Sequence, residues 1–63
     1  MRNFYYVTTA AGTTLKRCDS QAEAEEAALR HPNAEVPAGV RVTDMWGNEL
    51  ARFALGQRVE LGA

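Results

Sequence analysis

Asp19-Ser20-Gln21-Ala22-Glu23-Ala24-Glu25-Glu26-Ala27-Ala28-Leu29-Arg30-His31-Pro32 is the stretch that decides the fold. Ser20 followed by Glu23 is a capping box: the hydroxyl accepts from the Glu23 amide and the carboxylate reaches back to Ser20. Asp19 is a second candidate cap. Glu23, Glu25 and Glu26 stand near the positive end, and Arg30 and His31 near the negative end, as the helix dipole favours. Four alanines raise the helix propensity. Pro32 cannot continue the hydrogen-bond ladder and ends the element. At about 100° per residue, Glu23, Glu26 and Arg30 share one face. Gln21, Ala24 and Ala28 lie opposite, with Leu29 at the flank. Side chains this small let the helix lie close to the layer it covers.

The segments on either side read as strands. Before the helix, Phe4-Tyr5-Tyr6-Val7-Thr8-Thr9 is aromatic and β-branched, which suits a pleated strand. Ala10-Ala11-Gly12 follows as a three-residue hairpin loop, with Gly12 where a left-handed residue is needed. Thr13 to Cys18 returns, with Val7 opposite Leu15 and Phe4 opposite Cys18. A two-residue loop would swap these pairs. After the helix, 33–39 reads as a loop with a turn at Ala38-Gly39. Val40 to Met45 alternates, and Gly47-Asn48 reads as a two-residue hairpin turn. Pairing about that turn sets Trp46 against Glu49, Val42 against Phe53 and Val40 against Leu55. Apolar residues of both strands then share one face, and Arg41, Thr43 and Arg52 the other. Segment 56–63 carries Val59 and Leu61 at alternate positions and reads as an edge strand or a frayed tail.

The expected fold is α+β, in the order ββαββ, one domain over 1–63. One antiparallel sheet of four strands, or five if the last segment pairs, carries a single helix on one face. Val7, Leu15, Ala24, Ala28, Leu29, Val40, Val42, Phe53 and Leu55 are the expected core. The other sheet face must meet water or a partner.

Composition limits what such a chain can do. It has 63 residues, 46% of them hydrophobic and 24% charged, with a formal charge of −1. A chain this short hides only about 60% of its unfolded surface, so its core is thin and a buried catalytic cavity is not expected. Cys18 is the only cysteine, which excludes an intramolecular disulfide and favours a reducing, cytoplasmic setting. No stretch approaches the roughly 18 apolar residues of a membrane span. No basic excess points to nucleic acid through bulk charge alone.

One Cys and one His at opposite ends of the helix make neither a nucleophile–base pair nor a ligand set. Glu23 and Glu26 lie one turn apart but read as a solvated face. The glycines match no phosphate-cradling loop. The expectation is no enzyme, no cofactor, no metal and no small-molecule substrate.

Surface features remain. At least one of Tyr5 and Tyr6 faces outward, because neighbours on a strand point oppositely. Trp46 adds a further aromatic of the kind that dominates binding hot spots. Arg41 and Arg52 lie on the open sheet face, and Phe4 or Tyr6 beside them would complete a basic-aromatic platform able to stack bases and hold phosphates. Glu23, Glu25, Glu26 and Glu35 make the helix side acidic. The small net charge then reflects two faces of opposite sign.

The ββαββ plan, with a Ser-Gln-Ala-Glu-Ala-Glu-Glu-Ala helix start and a Trp-Gly-Asn-Glu hairpin, resembles small bacterial and phage proteins of unknown function over residues 4–55. In size and lack of catalytic chemistry the chain is also similar to phage-encoded anti-CRISPR inhibitors. That group has no defining motif, so the similarity transfers no functional residue. It implies a non-enzymatic protein that binds a macromolecular partner, in its sharpest form an inhibitor covering a host defence complex. The alternatives are a nucleic-acid-binding module using the basic sheet face, and a structural subunit assembling through sheet edges. Partner-binding candidates are Tyr5, Tyr6, Arg41, Arg52, Trp46, Glu23, Glu25 and Glu26. A protein complex is the expected partner, no membrane is implied, and the chain is expected to be a monomer or weak homodimer.

Overall fold

A computed structural model describes residues 3–60. The elements run β1 (Tyr5–Thr9), β2 (Thr14–Cys18), α1 (Gln21–Arg30), a 3-10 helix (Pro32–Glu35), β3 (Val40–Thr43), β4 (Glu49–Ala54) and β5 (Gln57–Val59). All five strands pair antiparallel in one sheet ordered β2-β1-β3-β4-β5. The fold is therefore α+β with a five-stranded sheet, and helix α1 packs across strands β1 to β4 on one face. Of the two readings of the last segment, the edge strand holds for Gln57–Val59; Leu61 lies outside the described residues.

Local chemistry explains each boundary. Ser20 Oγ accepts from the Glu23 amide at 3.2 Å. The Glu23 carboxylate accepts from the Asp19 amide at 3.2 Å, one residue earlier than the capping-box pattern places it. His31 closes the helix, and its Nδ1 then accepts from the Asn33 amide to start the 3-10 helix. That short helix occupies part of the segment expected to be loop. It buries Ala34, and its end accepts from the next hairpin: the Gly56 amide donates to Ala34 O, and the Leu55 amide to Val36 O.

The first hairpin turns through Ala10-Ala11-Gly12 as expected, with the Thr9 amide donating to Thr13 O. Thr8 faces Thr14, but a bulge at Leu15 then shifts the register. Val7 faces Lys16 instead of Leu15, and Tyr5 instead of Phe4 faces Cys18. The bulge answers a packing need. Leu15 and Cys18 are three apart, so a regular strand would put them on opposite faces. With one extra residue, Cys18 is buried and Leu15 also packs against the core.

The second hairpin is longer than a two-residue turn. Asp44 Oδ1 accepts from the Trp46 and Asn48 amides at 2.9 Å, and Oδ2 from Asn48 Nδ2 at 2.9 Å. The loop is thus Met45-Trp46-Gly47, closed by the Asp44 amide donating to Asn48 O. Val40 pairs with Phe53 and Val42 with Ala51, where Leu55 and Phe53 were expected. The shift is two residues, so these side chains keep their expected face.

The core is Val7, Cys18, Ala24, Ala28, Ala34, Val40, Val42, Ala51 and Phe53. Leu29 and Leu55 do not join it; they are 49% and 66% exposed. Leu29 lies about 100° beyond Ala28, and Ala27 on the other flank takes the partly buried place instead. Leu55 leaves β4 because the chain turns there: Leu55 and Gly56 both have positive φ, 55° and 75°, the geometry of a two-residue hairpin turn. Gly39 allows β3 to enter beside β4. A Cβ there would stand 2.1 Å from Phe53 O.

Candidate binding surface

The side of the sheet away from α1 has no second layer among the described residues. Register fixes what occupies it. Val7, Val40, Val42, Ala51 and Phe53 are buried toward the helix, so their strand neighbours point the other way. Tyr6 faces Arg17 on one side and Thr43 on the other. Arg41 faces Thr8 and Arg52. Phe4, two residues before Tyr6, lies under the Arg17 guanidinium at 4.6 Å from the ring centre. The open face therefore carries Phe4, Tyr6, Arg17, Arg41 and Arg52 together.

Glu49 is the acid on this face. Its carboxylate takes a fork from Arg52, with Nε at 2.8 Å and Nη2 at 3.0 Å. Arg41 Nε, buried, stands 3.7 Å from Glu49 and has no hydrogen-bond partner among the described residues. The Arg52 hydrogen bond, with the Arg52 and Arg41 charges behind it, holds the Glu49 carboxyl below its ordinary pKa despite desolvation. Arg41 and Arg52 are directly paired like charges, which is unfavourable across strands, and Glu49 offsets the repulsion. Three arginines against one glutamate leave the face with a formal charge of +2.

Tyr6, Arg41 and Arg52 are thus brought together as expected. Tyr5 is not among them: it faces Cys18 and packs against the core. Trp46 is 71% exposed on the loop locked by Asp44, at the end of the sheet where Tyr6 pairs with Thr43. The three helix acids lie on the opposite side and are engaged. Glu23 caps the helix, Glu26 pairs with Arg30 at 2.9 Å, and Glu25 bonds Gln21 and Arg58. Arg58 also stacks over Phe53, fastening β5 to the helix layer. Lys16, Glu23, Glu26, Ala27 and Arg30 line a shallow cleft of about 190 Å³ beside α1. Its walls are charges of both signs already close to one another, which favours no ligand class.

Arg17 and Glu49 are the residues that sequence reasoning missed. A regular strand would have turned Arg17 inward, and the bulge at Leu15 turns it out. A second bulge, between the Val42–Ala51 and Thr43–Glu49 pairs, puts Glu49 on the same side as Arg52. The signal was the odd spacing of like residues: Leu15 and Cys18, and the opposite charges Glu49 and Arg52, each three apart.

Burial, reinforced by Glu23 and Asp19, pushes the Cys18 thiol up, and it lies buried, so it is no ready nucleophile. Among the described residues no three His, Cys, Asp or Glu side chains converge as metal ligands, and no helix is long and apolar enough to cross a membrane. The chain matches no protein-family model, and comparison finds no match among curated proteins or solved structures.

Proposed function

We propose that this protein acts by binding a macromolecular partner across the open face of its sheet, without catalysing a reaction. The observation that carries this reading is the one-sided distribution of Phe4, Tyr6, Arg17, Arg41 and Arg52 on a sheet face with no covering layer. Tyrosine and arginine are residue types enriched at binding hot spots. The helix acids support the same choice, because they are spent on a cap and on ion pairs. In its finer form the reading is an inhibitor that covers a working surface of a host defence complex. Charge would steer the encounter, and the aromatic residues would slow dissociation.

Affinity capture from the cells that make the protein tests this. Wild-type bait is expected to retain a specific partner, Tyr6→Ala to lose it, and Arg30→Glu on the helix to keep it. Capture that survives Tyr6→Ala and fails with Arg30→Glu would overturn the choice of face. Recovery of no macromolecule at all would overturn the reading itself.

A further inference from the structure

We infer that the open sheet face takes single-stranded nucleic acid, with Phe4 and Tyr6 as stacking platforms and Arg17, Arg41 and Arg52 as phosphate contacts. This rests on the reading of the open face as the working surface and names its ligand. Charge complementarity carries the first half: the face is +2 while the whole chain is −1, so an anionic occupant is favoured here. The chemistry of the pairs carries the second half. Tyr6 sits on β1, flanked by Arg17 on β2 and by β3, and Phe4 is already stacked by a guanidinium at 4.6 Å. Flat π faces interleaved with guanidinium groups match a chain of alternating bases and phosphates. A purely acidic peptide would use the arginines but offer no flat or apolar group to the rings, whereas nucleic acid offers a base for each. A duplex would present phosphates with its bases stacked away from a flat sheet. Arg41 and Arg52 share the single carboxylate of Glu49, while Arg17 forms no ion pair among the described residues and is the cation on this face least neutralised by the protein itself. Glu49 opposes the ligand, since it holds the Arg52 fork that a phosphate would take.

Fluorescence anisotropy with labelled oligothymidylate and oligouridylate, and with a polyglutamate peptide, tests the inference. Both oligonucleotides are expected to bind in the micromolar range, and the stronger of the two identifies DNA or RNA as the ligand. With about three phosphate contacts, affinity should fall roughly 20-fold between about 50 and about 200 mM salt. Tyr6→Ala should weaken binding about tenfold through lost stacking. Arg17→Glu should weaken it at least as much, and Arg30→Glu should leave it unchanged. Glu49→Gln should tighten it several-fold, a gain that loss of folding cannot imitate. No binding by the wild type, or binding indifferent to Tyr6→Ala, Arg17→Glu and Glu49→Gln, would overturn the inference. Preference for polyglutamate would also overturn it, in favour of an acidic protein occupant. If oligonucleotides fail while Tyr6→Ala still abolishes cellular capture, the ligand class is wrong and the open face stands.

Discussion

Leu55 is the residue held furthest from its own preference. It has φ of 55° and is 66% exposed, so it bears backbone strain without gaining burial. A left-handed residue with a Cβ costs roughly 1–2 kcal/mol, and asparagine tolerates the region better. Leu55→Asn restores the Asn-Gly pair that such turns favour. The variant is expected to gain about 1 kcal/mol, which raises Tm by roughly 4–8 °C in a domain of this size. A calorimetric melt at or below the wild-type Tm would mean that the Leu55 side chain makes a contact worth more than the strain. Glu49 shows the same logic in charge. Alone among the acids it lies between two paired arginines, and its position depends on a bulge that no single residue announces.

The β3–β4 loop is the element whose order depends most on one side chain. Desolvation raises the Asp44 pKa, but the Asn48 side chain and the Asn48, Trp46 and Gly47 amides together outweigh it and leave it below the ordinary 3.8. A carboxyl lowered in the folded state stabilises above its unfolded pKa and loses that contribution as pH falls through the folded value. The loop is therefore expected to stay closed at neutral pH and to loosen only below about pH 3.8, in the range under the ordinary Asp value. Trp46 emission should report a transition there, and Asp44→Ala should remove it. An acid transition that persists in Asp44→Ala would place the cause elsewhere. At this scale the sequence was a good guide to elements and a poor one to register. The helix, its cap and the Pro32 stop were legible because they are local chemistry. Both bulges were not, because they are settled by where Leu15, Cys18 and Glu49 find partners across the sheet; the five-residue closure around Asp44 is local, but the Gly47-Asn48 turn signal masked it. Face assignment survived for residues 40–43 and 51–53, since a two-residue shift preserves parity. It failed for Arg17 and Glu49, since one extra residue reverses it. So the Arg41 and Arg52 half of the surface could be read in advance, and the Arg17 half could not.

The whole molecule is a thin two-layer fold with one large side chain in its core. Val7, Val40 and Val42 are the largest fully buried side chains, and Phe53 at 4% exposure is the only buried aromatic among the described residues. Truncating a buried Phe costs about 3–5 kcal/mol, against a total of about 3–9 kcal/mol for a chain of this length. Phe53→Ala is therefore expected to leave much of the chain unfolded at 25 °C, seen as lost cooperativity in a circular dichroism melt; a cooperative melt within a few degrees of wild type would contradict this core. The opposite sheet face is free of that duty. Phe4, Tyr6, Arg17, Arg41 and Arg52 can change there without emptying the core, which leaves them available for binding. The most direct test places a photo-crosslinking amino acid at Tyr6 and, separately, at Arg30, and irradiates intact cells. The account predicts a discrete adduct from position 6 and none from position 30; an adduct from position 30 with none from position 6 would contradict it.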